Sequence, residues 1–234
     1  MEAFPKISFD DTATAFSYKS DQALKKANFI FSLINHPWVS AAAIASVKLS
    51  LQLRLPVEGL IRKTVFDHFC GGISIDNCDD EIQTLKHYGV GTILDYSVEG
   101  ADTEEGFDHA VEETIRTIEK ATSDPKGIPF SVFKVTGLAS ATLLEKVQNR
   151  TPLSSGEQAA FERVRKRIDT ICKKAHDCNV RLLIDAEETW IQEPIDAMAY
   201  EMMARYNTQR AIVFNTYQMY RTASLKNLRE AYHN

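Results

Sequence analysis

Six polar side chains sit where apolar segments end, and their types suggest chemistry on a small charged substrate. Lys134 interrupts the apolar run Phe130-Ser131-Val132-Phe133-Lys134-Val135. A lysine in such a segment must meet an anion or lose its proton. It is therefore either a partner for a substrate carboxylate or a Schiff-base amine; a structural lysine would instead run its stem out to the end of the segment. Thr136 follows two residues later. Asp185 closes Leu182-Leu183-Ile184, and alternation turns Glu187 to the same side. A carboxylate there orients a ligand or caps the next helix, but that helix is expected near Pro194, which weakens the capping role. Asn215 and Gln218 carry paired donors and acceptors that could read the edge of a heterocycle, or could merely order a loop. Asp95 ends another apolar run and is a further strand-end carboxylate.

Other chemistries are disfavoured. Gly89-Val90-Gly91 is not a dinucleotide fingerprint, because Leu94 stands where the third glycine belongs. No phosphate-binding P-loop, nucleophile elbow or HExxH motif occurs. The cysteines are Cys70, Cys78, Cys172 and Cys178, with no CxxC pair. Cys172 and His176 lie four apart near Cys178, but no second cluster accompanies them and no metal is expected. The 234 residues carry a net charge of −5 and no Lys/Arg block of five, so nucleic acid is not an expected partner. Met1–Lys19 includes Glu2, Asp10 and Asp11 and lacks the order of a secretory leader, so reduced thiols and a cytoplasmic location are expected. Ala27–Val47 contains no Asp, Glu, Lys or Arg. Pro37 interrupts it, so two helices meeting there are expected rather than a span; peripheral contact with a membrane stays open.

These residues need elements to hold them. Residues 20–68 read as helical, with Ser20 as a cap and Pro56 as an interruption; 79–88 read as a helix stopped by Gly89. Apolar runs at 90–96, 129–138, 180–186 and 211–217 read as buried strands. Between them, Phe107, Val111, Ile115 and Ile118 fall on one helical face, as do Phe161, Val164, Ile168, Ile171 and Ala175. Ser155–Gln158 resembles a capping box, and Asn179 can close the helix behind it. Ile195, Met198, Met202 and Tyr206 line a further helix, and Ala223–His233 begins the last. Alternating strands and helices imply a covered parallel sheet, either doubly wound or a (β/α) barrel. Strands starting near 91, 129, 180 and 211 are spaced by 40 on average, so eight units would need about 320 residues. From Gly91 onward there are 144. The expected division is a helical region over 1–88 and strand–helix units over 89–234.

Four blocks together resemble the proline dehydrogenase family: Phe69-Cys70-Gly71-Gly72; Gly89 to Glu99; Val132-Phe133-Lys134-Val135-Thr136-Gly137-Leu138; and Leu182 to Glu187 with Phe214-Asn215-Thr216-Tyr217-Gln218. The likeness is greatest to the single-function bacterial and mitochondrial-type branch. It implies a (β/α)8 barrel, of which this chain supplies the helical N-terminal region and about four β/α units. It implies FAD-dependent oxidation of L-proline to Δ1-pyrroline-5-carboxylate, with hydride transfer to the flavin and electrons passed to membrane quinone at the inner membrane. In that pattern Lys134 lies near the substrate carboxylate and flavin, and Asp185 belongs to the catalytic site. Asn215 and Gln218 lie beside the isoalloxazine, with Thr136 and Glu187 completing the cofactor-binding set. The alternatives are a barrel aldolase with Lys134 as Schiff-base nucleophile, or an inactive binding or assembly fragment. A homo-oligomer is compatible with the leading reading.

Overall fold

The computed structural model describes residues 8–96 and 103–233. Ser97, Val98 and Glu99 of the first-strand block lie outside the described residues, as does Glu2. Two compact units are present, Met1–Tyr88 and Gly89–Asn234.

The first unit is helical. The described helices begin with α1 (Thr12–Ala15), where the Asp11 carboxylate accepts from Thr14 N at 3.0 Å. Ser20 Oγ caps α2 (Asp21–Ile34) by accepting from Ala23 N. Pro37 opens α3 (Pro37–Gln52), where a missing N–H costs nothing, and the two axes bend by 98°. The helix pair meets at Pro37 as the sequence implies. Pro56, however, interrupts nothing: α3 has already stopped at Gln52, and Arg54 takes a left-handed φ of 53°. Two short helices, α4 (Glu58–Ile61) and α5 (Asp67–Phe69), flank a π-helical turn at Arg62–Phe66. His68 packs edge-on against Phe31 and Phe69. The unit ends with a 3-10 turn at Asp76–Cys78 and α6 (Asp79–His87), after which Gly89 adopts φ +76°.

The second unit alternates strands and helices: β1 (Ile93–Asp95), α7 (Glu104–Ser123), β2 (Phe130–Phe133), α8 (Ala141–Gln148), α9 (Ser155–Cys178), β3 (Arg181–Ile184), α10 (Gln192–Tyr206), β4 (Val213–Asn215) and α11 (Ser224–His233). The strands pair in parallel in the order β1-β2-β3-β4. A doubly wound sheet reverses its order; this one does not, and α7 packs on α9 while α9 packs on α10. The result is an open arc of the barrel type, with helices side by side. Leu94, Ser131, Leu182 and Val213 stand in register and are buried. Gly91 is required where β1 begins, because a Cβ there would lie 2.8 Å from Pro129 Cγ.

Local signals explain the helix ends. The capping box uses Ser154 and Glu157, one residue earlier than the sequence pattern suggests. Asn179 closes α9 in the left-handed region at φ 56°. The buried face of α7 comprises Phe107, Ala110, Val111, Thr114, Thr117, Ile118 and Ala121, whereas Ile115 is half-buried. Thr117 belongs inside because its hydroxyl meets Ser131 Oγ of β2 at 2.8 Å. Between α7 and α9, Arg167 donates to Asp108 at 2.8 Å and to Glu104, while Arg163 also holds Glu104. Arg163 and Arg167 keep the Glu104 carboxyl down at about 2.

Burial sets the expected cost of truncation. Ile168, with no exposed surface, is at the centre of α9's packed face. Ile168→Ala should destabilise the fold by about 2–5 kcal/mol, with Ile115→Ala costing less than half as much. Urea denaturation of the two variants measures this, and equal losses would show that the α7 face is wrongly assigned.

Candidate functional site

The carboxyl ends of β2 and β3 finish in step. Phe133 pairs with Ile184, and Asp185 N donates to Phe133 O at 3.0 Å. The next residues, Lys134 and Asp185, therefore emerge side by side. Lys134 does not lie within a strand, as the apolar run implies. β2 stops at Phe133 and the chain enters a 3-10 turn at Val135–Gly137, which places Lys134 at the strand mouth. Lys134, Thr136, Asp185, Glu187 and Gln218 line one cavity of about 610 Å³. Its remaining walls come from Ala141 and from Ala186, Glu188, Thr189, Trp190 and Tyr220. Trp190 and Tyr220 were not singled out in the sequence; a lone aromatic in a polar loop gives little signal. That volume is in the range of small-molecule sites, at the end of a parallel sheet where such sites form.

Glu187 and Thr136 face each other across the cavity wall. Thr136 N donates to Glu187 Oε1 at 3.0 Å, and the Thr136 hydroxyl donates to Oε2. Glu187 N in turn donates to Gln192 Oε1 at 2.8 Å. Gln192 Nε2 donates to Asp196 Oδ1 at 2.9 Å, and Asn215 Nδ2 donates to the same oxygen at 2.9 Å. This chain of bonds joins the turn after β2, the loop after β3, the start of α10 and the end of β4. Gln192 and Asp196 are buried members that the sequence reading missed, although their spacing of four on a helix is the available signal. Burial pushes the Glu187 carboxyl above its usual range, and the two Thr136 bonds pull the other way. Asp185 turns its carboxylate onto the following Ala186 N at 2.9 Å.

Asn215 stands apart from the cavity-lining set. It pairs in register with the buried Ile184 and shares a face with Val213, so its side chain turns to α10. Its Oδ1 is buried without a hydrogen-bond partner among the described residues, and so is Gln218 Oε1. Leaving such an acceptor unpaired costs about 1–3 kcal/mol. Gln218 lines the cavity, where an N–H or O–H of a ligand could meet it. Nearby, the hydroxyls of Tyr200 and Tyr217 lie 2.8 Å apart, and burial first, then this contact, raises the Tyr200 pKa. On α9, Cys172 points into the core while His176 is exposed against Tyr206, so these two do not converge on one ion.

A family model described as proline dehydrogenase matches residues 78–234. The chain belongs to the proline dehydrogenase family. It is 31% identical over 222 residues to mitochondrial proline dehydrogenase 1 of Arabidopsis thaliana, covering 78% of this chain and 44% of that protein. It is 30% identical over 175 residues to the carbapenem antibiotics biosynthesis protein CarD of Pectobacterium carotovorum subsp. carotovorum, covering 75% of this chain and 46% of that one. The chain thus spans less than half the length of these relatives. In fold it resembles proline utilization A from Bdellovibrio bacteriovorus, in a crystal structure of the enzyme inactivated by N-propargylglycine. The TM-score is 0.61 at 13% identity, over 98% of this chain and 26% of that one. Proline dehydrogenase membership and the barrel-type arc agree with the resemblance carried by the strand-end blocks.

The Glu187 contact has a pH signature. Because its folded-state pKa is raised above the ordinary 4.5, the folded state holds this proton more tightly than the unfolded chain does. The stability it contributes is full below 4.5 and is lost as pH rises through the folded value. Glu187→Gln removes the titration, keeps the Thr136 N–H bond to Oε1 and reverses the other, with the amide Nε2 donating to the Thr136 hydroxyl oxygen. Its stability relative to the unaltered chain should therefore rise with pH across this window. Urea denaturation from about pH 4 to about pH 7 tests it, and a difference that stays flat would remove the burial argument.

Proposed function

We propose that the strand-end cavity takes part in oxidising L-proline to Δ1-pyrroline-5-carboxylate, with FAD receiving the electrons and a membrane quinone receiving them in turn. The observation that carries this reading is the convergence of Lys134 and Asp185 with the unpaired Gln218 acceptor in one cavity, in a chain of the proline dehydrogenase family. In the reaction the C–N bond of the substrate ring becomes C=N with loss of two hydrogens.

Lys134, a half-buried residue lining the cavity, is suited to hold the substrate carboxylate. A cation partly withdrawn from water binds an anion more strongly than a solvated one does. Asp185, which emerges beside it into the same cavity, would balance positive charge there and suits a substrate amine. Gln218 Oε1, lacking a partner among the described residues, would suit the N–H edge of a flavin ring. Bound FAD supplies a two-electron acceptor that no side chain offers. Thr136 and Glu187, bonded to each other, hold the turn that carries Lys134. Asn215 acts from behind β4, through Asp196, by fixing the strand end from which Gln218 extends.

Proline-dependent reduction of a dye acceptor in the presence of FAD tests the reading directly. Lys134→Met should lower kcat/KM by about 30-fold to several thousand-fold, since truncating one partner of a desolvated charge pair costs about 2–5 kcal/mol. Stability should change by less than about 1.5 kcal/mol, because methionine conserves the stem. A kcat/KM within about threefold of the unaltered protein would return Lys134 to a structural role.

A further inference from the structure

On α10, Gln192, Asp196 and Tyr200 recur at every fourth position and so stand one above another on a single face. Each holds a different segment of the second unit. Gln192 Oε1 accepts from Glu187 N at 2.8 Å, in the loop after β3. Asp196 Oδ1 accepts from Asn215 Nδ2 at 2.9 Å, at the end of β4. The Tyr200 hydroxyl meets the Tyr217 hydroxyl at 2.8 Å, in the segment after β4. The first two contacts belong to the frame of the cavity. The third falls on the residue that precedes Gln218.

Gln218 is held from both flanks of its backbone. β4 stops at Asn215, so the strand ladder does not fix it. Its carbonyl accepts from Ser224 Oγ at 2.7 Å and from Arg221 N at 3.0 Å, which ties it to the start of α11. Ser224 is buried. On the other flank Tyr217 reaches back to α10, while Gln218 lines the cavity. The two neighbouring side chains leave the backbone for different places, so a hold on Tyr217 fixes the peptide that presents Gln218. Gln218 Oε1 is buried without a hydrogen-bond partner among the described residues, so a bond at that atom does not set its direction. The direction comes from the backbone beneath it.

The tyrosine bond suits that task. Both residues are half-buried. Burial first, then the Tyr217 contact, raises the Tyr200 pKa, so the phenol keeps its proton and the bond persists. Tyr206 is the contrasting case: at the far end of α10 from Gln192, its hydroxyl donates to Asp169 of α9 at 2.7 Å. We infer that Tyr200 is a positioning residue: through the Tyr217 hydroxyl it aims the Gln218 carboxamide into the cavity. That the group met there is a flavin rests on the oxidation proposed for this site, whereas the aim of Gln218 does not.

Tyr200→Phe and Tyr217→Phe each remove one end of this bond and keep the ring, and Tyr206→Phe removes a hydroxyl of the same kind elsewhere on α10. In the whole chain without ligand, the Gln218 side-chain amide resonances, assigned by their absence in Gln218→Leu, should move in the first two variants and stay fixed in Tyr206→Phe. FAD binding, followed by quenching of flavin fluorescence, should weaken about three- to tenfold in Tyr200→Phe, the range of a single hydrogen bond. Tyr200→Phe combined with Tyr217→Phe should weaken it no further than either alone. In the Gln218→Leu chain, Tyr200→Phe should cost no additional affinity, because the residues act in series. Unmoved Gln218 resonances overturn the proposal, as does FAD affinity in Tyr200→Phe within about twofold of the unaltered chain. An equal loss in Tyr206→Phe also overturns it, since that would be a general loosening of α10. Moved resonances in a chain that binds no FAD would support the positioning role and count against the oxidation instead.

Discussion

Thr136, Glu187, Gln192, Asp196 and Asn215 form one line of hydrogen bonds across the mouths of three strands, and the cavity owes its shape to that line. Each strand of the arc is three or four residues long, so the ladder by itself gives little control over the loops beyond it. The polar line supplies that control. Glu187 takes two donors from the turn after β2 while its own N–H is held from α10. Asp196 then receives β4 through Asn215. Buried and half-buried polar groups in such a line reinforce one another when all are paired and cost heavily when one is not. Lys134 and Asp185, which emerge side by side from β2 and β3, take their directions from a frame that neither residue builds.

Much of this was legible in the chain. Gly89, Asn179 and Pro37 mark helix ends through backbone demands that no packing can overrule, and each stands where the sequence places it. The apolar runs gave the strands and their parallel arrangement. Their ends were less clear, because Val135 is apolar whether it continues a strand or begins a 3-10 turn, and hydrophobicity does not distinguish the two. The inward face of α7 was partly misread for a similar reason. Thr117 is inside through its bond to Ser131, and Ile115 is left half outside.

At the site, residue type was a better guide than position. Lys134, Thr136, Asp185, Glu187 and Gln218 share a cavity. Asn215 does not, because the two-residue period of β4 sets it with Val213 against the helices while Gln218 lies beyond the strand. Gln192 and Asp196 were invisible as site residues because their role depends on what they touch, and sequence spacing shows only that they share a helix face.

The strand order has a consequence for how the chain is made. Each strand lies beside the one synthesised just before it, from β1 to β4. As β2 leaves the ribosome its neighbour already exists, and the same holds for β3 and β4. Among the described strands, none after β1 must wait for a later segment to find its first neighbour, as a doubly wound order would require. Loop-closure entropy is then met in short instalments, and the arc can grow from its amino-terminal edge while the rest of the polypeptide is still being translated.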